Sequence, residues 1–181
     1  MKGTIAEFFE TDHHRLDELL RRASADAHAI DLQAYAEFRK GLLGHISMEE
    51  KILFPTVQRL RGGEPFPQTK QLRLDHAALT ALMVPPPSAG IIAAIRAILS
   101  RHNALEESTY GVYETSDELA AGLGDEIVQQ ARKAGNVPVL PHNPDPRVLE
   151  ATRRAVARAG YDLDRYLSSA EDETGMPAGN T

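Results

Sequence analysis

Two stretches of this sequence pair an imidazole with a carboxylate at helical spacing. His45 and Glu49 stand four residues apart in His45-Ile46-Ser47-Met48-Glu49-Glu50, and His102 and Glu106 repeat the spacing in His102-Asn103-Ala104-Leu105-Glu106-Glu107. On a helix, residues i and i+4 share a face, one turn apart. Both pairs fall within apolar stripes, so each presents an imidazole and a carboxylate toward a core. Two more histidines, His13 and His76, sit mid-way along apolar stripes of their own. Buried carboxylates and imidazoles without partners cost roughly several kcal/mol each, and a shared cation removes that cost. The set His13, His45, Glu49, His76, His102 and Glu106 suits iron, zinc or manganese, whereas calcium and magnesium take oxygen shells.

Periodicity and chain breakers define the elements that must position these residues. A first helix is predicted from Thr4 to about Arg22, with Ile5, Phe9, His13, Leu16 and Leu20 inward and His14 outward. Ser24 to His28 reads as a connection, with His28 solvated. A second helix starts at Asp31 as N-cap and runs to about Arg61, carrying Phe38, Leu42, His45, Glu49 and Ile52 inward. Pro55 predicts a kink or restart within it. After the break at Gly62-Gly63-Glu64-Pro65-Phe66-Pro67, a third helix spans about Gln68 to Met83 with Leu72, His76, Leu79 and Met83 inward. A fourth starts near Ser88 and carries Ile91, Ile95, Ile98, His102, Leu105, Glu106, Thr109 and Tyr113. Short Gly/Pro connections between these elements predict an all-α fold, an antiparallel up-down four-helix bundle with a C-terminal helical extension. In such a bundle the histidine-bearing middles meet at one level.

Beyond the four stripes, Ser116 or Asp117 is expected to cap a helix over Glu118 to Ala134, ended by Gly135. Prolines exclude regular structure between Val137 and Pro146. Arg147 to Ala159 reads as a helix closed by Gly160, Tyr161 to Ser168 as a further turn or two, and Ala170 to Thr181 as disordered. The chain thus divides into residues 1–134, a bundle with a trailing helix, and residues 135–181, a Pro-rich arm with short helices and a tail. His14 and His142 are expected to be exposed. The face carrying Ala151, Ala155, Val156 and Ala159 permits either a cap over the bundle or a homo-oligomer interface.

The bulk composition excludes several classes of function. The chain has 181 residues, a formal net charge of −6 and no cysteine. The negative balance argues against nucleic acid or an anionic membrane as partner. Without cysteine there is no disulfide, thiolate metal site or cysteine-ligated cluster. No segment reaches the roughly 20 apolar residues of a membrane span, and the first residues lack a signal-peptide pattern, so a cytoplasmic protein is expected.

The order His…His-x-x-x-Glu…His…His-x-x-x-Glu resembles the hemerythrin-like, or HHE cation-binding, family. The flanking residues strengthen the resemblance: Asp12-His13-His14-Arg15-Leu16-Asp17, Leu53-Phe54-Pro55 after Glu49-Glu50, and Asp75-His76. It covers about residues 1 to 120 and implies a four-helix bundle around a non-haem di-iron site, two Fe ions with an oxo or hydroxo bridge. His13, His45, His76 and His102 would be terminal ligands, with Glu49 and Glu106 bridging. Asp17, Glu50, Asp75 and Glu107 are the acids expected to accept from the outer ring nitrogens.

The sequence also departs from the family's oxygen carriers. Thr80 stands where they place a fifth histidine, and Glu106, four residues after His102, replaces an aspartate five residues on. Each iron then keeps an exchangeable position. Tyr110 and Tyr113, beyond Glu106, either fill such a position or pack as aromatic core. The expected function is binding of, or reaction with, O2, peroxide or nitric oxide, the partner being a small diatomic or peroxide ligand. The alternative is an iron-handling, iron-donating or sensing protein with a labile di-iron centre. Family members that donate iron typically carry a cysteine-containing N-terminal segment, which this sequence lacks. A structural metal site, zinc for example, is a third reading, disfavoured because structural sites are usually closed.

Overall fold

Helix boundaries follow the capping chemistry of the sequence. In a computed structural model describing residues 3–26 and 29–174, helix α1 spans Thr4–Ala23 and α2 spans Leu32–Met48. The Asp31 carboxylate accepts from the Gln33 and Ala34 backbone N–H groups at 3.0 Å each, which fixes the start of α2. A π-helical turn, Glu49–Leu53, follows without a break and leads into α3, Phe54–Leu60. Helix α4 is Thr69–Leu82, and α5 is Ala89–Glu107 with Ser88 as its N-cap. Then come α6, Val112–Leu119, α7, Gly124–Ala134, α8, Pro146–Arg158, and α9, Leu163–Thr174. The described residues are all-helical, with no strand among them.

Two apolar clusters form the core. One gathers Leu16, Leu20, Leu42, Leu79 and Ile98, and the other gathers Ile5, Phe9, Leu53, Phe54 and Leu72, with Leu105 packed against it. Each of α1, α2 with its π turn, α4 and α5 passes from one cluster to the other. The crossing on every one of them lies within a few residues of a histidine: His13, His45, His76 or His102. Helix α1 packs on α2, α6 and α7, while α8 lies on α4 and α9 on α5.

Pro55 has its effect upstream of itself. It lacks an N–H, and the ladder has already widened over Glu49–Leu53, where the Phe54 N–H reaches the Glu49 carbonyl five residues back. The extra residue shifts the inward face by one position. Leu53 is fully buried and Ile52 only half-buried, which corrects the expected stripe.

Other expectations are corrected after Glu106. Helix α5 ends at Glu107 and Thr109 is exposed; Tyr113 belongs to the separate α6. The single trailing helix expected over Glu118 to Ala134 is two helices, broken around Gly122, whose φ of 83° is the left-handed conformation glycine permits. Asp117 caps no helix of its own. Its carboxylate accepts from the Ile5 and Ala6 N–H groups at 2.9 Å each and so caps α1 from across the fold. Ala170 to Thr174, expected to be disordered, is the last part of α9; residues 175–181 and His28 lie outside the described residues. Ala155, Val156 and Ala159 are buried within the chain, and Ala151 is exposed.

Candidate metal centre

The six residues singled out by spacing converge between the two apolar clusters. His13 comes from α1, His45 from α2, Glu49 from the start of the π turn, His76 from α4, and His102 and Glu106 from α5. All are buried, Glu49 and Glu106 completely. One ligand atom from each of His13, His45, Glu49 and Glu106 lies within 4.8 Å of the others, and the same holds for Glu49, His76, His102 and Glu106. Both glutamates are common to the two groups. The Nε2 atoms of His13 and His45 are 3.0 Å apart, and those of His76 and His102 are 3.2 Å apart.

The outer nitrogens meet a ring of carboxylates. His45 Nδ1 lies 2.9 Å from Asp12 Oδ2, His76 Nδ1 2.8 Å from Glu50 Oε1, and His13 Nδ1 2.5 Å from Glu107 Oε1. His102 Nδ1 is 3.6 Å from Asp75 Oδ2, a looser contact. Every acid sits on one helix and faces a histidine on another: α1 to α2, the π turn to α4, α4 to α5, and α5 back to α1. An ionised carboxylate only accepts, so each close Nδ1 carries the hydrogen and the Nε2 lone pair points inward. Two lone pairs 3.0 Å apart repel unless a proton or metal ion lies between them.

The electrostatics agree with a site built for positive charge. Burial alone would lower the His45 pKa, but the Glu49 charge and the Asp12 hydrogen bond outweigh it and raise it to about 10. For His102, burial is likewise overcome, chiefly by Glu106, again giving about 10. His76 is raised by Glu49 and Glu50 against the pull of burial. Burial pushes the Glu49 carboxyl up, yet the facing His45 and His76 hold it well below its ordinary value. Glu49 Oε2 and Glu106 Oε1 are buried and accept no aligned hydrogen bond, although His76 Nε2 is only 3.1 Å from Glu49 Oε2.

The sequence profile of the hemerythrin HHE cation binding domain matches residues 4–113. The chain belongs to that family. No curated protein and no solved structure matches it. The match to the hemerythrin domain spans all six buried residues and ends at Tyr113. Helices α7, α8 and α9 lie outside it.

Tyr113 is the residue at the centre that the spacing alone leaves undecided. Its hydroxyl lies 2.6 Å from Glu49 Oε1, 3.0 Å from Glu106 Oε2 and 3.1 Å from His13 Nε2. The turn that returns it to the site depends on Gly111, where a Cβ would lie 2.5 Å from the Glu106 carbonyl oxygen. Burial and the two carboxylates hold the phenol well above its ordinary pKa, so it is a donor in the metal-free protein. Phe9 stacks on its ring at 5.2 Å.

The other candidates are placed elsewhere. Tyr110 is exposed, its N–H bonded to Glu114 Oε2. Asp17 is exposed, and Asp12 occupies the role expected of it. Asp12 precedes His13 as Asp75 precedes His76, and that repeated Asp-His pair was the available signal. His14 is exposed as expected. His142 is half-buried and stacks on Tyr35, toward the opposite end of α2 from His45. Thr80 is exposed and lines an open groove between α4 and α8. No helix among the described residues is long and apolar enough to cross a membrane.

Proposed function

We propose that this hemerythrin-family chain holds a non-haem di-iron centre that binds or reacts with O2, peroxide or nitric oxide. His13 and His45 would hold one ion, His76 and His102 the other, and Glu49 and Glu106 would bridge them. The observation that carries this is the pair of four-residue groups sharing both glutamates. The residues fit a pair of cations on chemical grounds: converging imidazole lone pairs, and two buried carboxylate oxygens without hydrogen bonds. The nitrogen-rich, thiolate-free donor set suits iron. The finer architecture belongs to the same proposal. The clusters alternate in order along α1, α2, α4 and α5, as an antiparallel up-down bundle requires.

When bound, the two irons would supply one-electron oxidation–reduction at each ion and open positions for a small ligand. The chain supplies the rest. Asp12, Glu50 and Glu107 fix the tautomer and orientation of three imidazoles and raise their basicity. Phe54, stacked on His76 at 5.8 Å, and Phe9, edge-on to His45 at 5.5 Å, exclude water around the ligands. Tyr113 holds a proton 2.6 Å from Glu49 Oε1, within reach of whatever occupies the centre.

Metal analysis of the protein as purified, then of protein loaded anaerobically with ferrous iron, tests this. The expected result is two irons per chain, with an optical change on adding O2, peroxide or nitric oxide. Stoichiometry of one or none, or inert iron, would overturn it.

A further inference from the structure

Of the cavities that touch the centre, the one lined by three of its histidines is larger than a diatomic ligand needs. It lies between α1 and α5 and measures about 440 Å³. One water takes about 30 Å³ of liquid, and sites for small organic molecules occupy roughly 300–1,000 Å³. His13, His45 and His102 form its buried floor, while Asp17 and Ser100 stand exposed at its mouth. Between them the walls are mainly apolar, with Leu20 and Leu42 buried and Leu99 half-buried, interrupted by the half-buried Arg96 and Asn103. The lining runs from His13 to Leu20, about 10 Å along α1 at 1.5 Å per residue. A route for O2, peroxide or nitric oxide alone requires neither this length nor this width.

We propose that this cavity binds a small, predominantly apolar organic molecule that carries one oxygen-bearing head, a hydroxyl or hydroperoxide, directed at His13, His45 and His102. The hydrocarbon body takes the leucine walls out of water, which favours binding in proportion to the apolar area covered. The head meets the polar part of the lining, the imidazole floor with the neighbouring Asn103, whose buried Oδ1 accepts no hydrogen bond. This names a substrate class for the metal centre and rests on that assignment for its chemistry, but the cavity is formed by protein atoms alone.

The test is calorimetric titration of metal-free protein with 2-phenyl-2-propanol, an aryl-alkyl alcohol that undergoes no peroxide chemistry, alongside NMR of the histidine rings. Saturable binding that shifts the His13 and His102 signals is expected. Leu99→Trp, which fills the cavity, and Ser100→Trp, at its exposed mouth, should each weaken binding at least tenfold. Ala151→Trp, in the separate groove between α4 and α8, should leave it unchanged. Should Leu99→Trp fail to fold, Ser100→Trp decides alone. No saturable binding by the unaltered protein, or equal affinity in the plugged variants, overturns the proposal. Iron uptake measured on the same preparation separates the two assignments. Probe binding without iron uptake sinks the di-iron centre alone, and iron uptake without probe binding sinks the cavity alone.

Discussion

Asp12 Oδ2 accepts from His45 Nδ1 at 2.9 Å across the gap between α1 and α2, while His13, its neighbour in sequence, is held by Glu107 of α5. Asp12 therefore supports a histidine it cannot be paired with by helical spacing. Asp12→Asn should weaken metal binding about 10–100-fold, the usual cost of losing such a partner. Asp17→Asn, on an exposed position, should not. Competition against a chelator of known affinity measures both.

Tyr113→Phe removes the one hydroxyl among the described residues that reaches Glu49 and Glu106. In the metal-free protein this leaves Glu49 Oε1 without its donor, at about 1–3 kcal/mol of stability. Bound cations would take over that carboxylate, so the loss should shrink after metal loading. Denaturant unfolding of both forms gives the difference, and an equal loss in each would count against metal at the glutamates.

The metal-free protein should lose stability as the solution is made alkaline. His45 and His102 titrate at about 10 in the fold against an ordinary 6.5. A raised folded pKa means that the folded state holds the proton more tightly than the unfolded chain does. Its stabilisation is complete below about pH 6.5 and is lost progressively as pH rises through about 10. Metal must displace those protons, so loading should release them and weaken at low pH. Urea midpoints across this range, and calorimetry in buffers of different ionisation enthalpy, check the two halves separately.

Gly44→Ala sets two effects against each other. Alanine improves helix propensity by about 1 kcal/mol, but the new Cβ would lie 2.6 Å from the Gly135 carbonyl oxygen, a backbone atom with little room to yield. Ser47 Oγ also pins this contact by donating to the Ala134 carbonyl at 2.8 Å. Overpacking of this kind costs about 1–3 kcal/mol, so net destabilisation is expected in thermal melts.

What the sequence made legible was whatever repeats along one helix. His13, His45, His76 and His102 could be placed inward because each lies on an apolar stripe, and Glu49 and Glu106 followed at one turn's distance. What stayed hidden depends on a neighbouring element. Spacing along α1 shows which residues share a face with His13; it is silent on which helix lies beside Asp12. The shift from Ile52 to Leu53 needed the π turn, which a period of 3.6 does not contain. Tyr113 could not be assigned by counting from His102, because the chain leaves the α5 axis at Ser108 and restarts at Gly111. Sequence position makes Asp117 a local cap, whereas the N–H groups it satisfies lie more than a hundred residues away.

The cavity and the Tyr113 hydroxyl give the centre a front and a back. By donor count the His13–His45 and His76–His102 halves are twins. Tyr113 nevertheless approaches only the first, at 3.1 Å from His13 Nε2 and 3.5 Å from His45 Nε2. The supporting acid is close at His45 and slack at His102, 2.9 Å against 3.6 Å. Two ions placed here would be chemically unlike from the moment they bind. They would fill in sequence rather than together, give two spectroscopic signatures, and differ in which gives up an electron first.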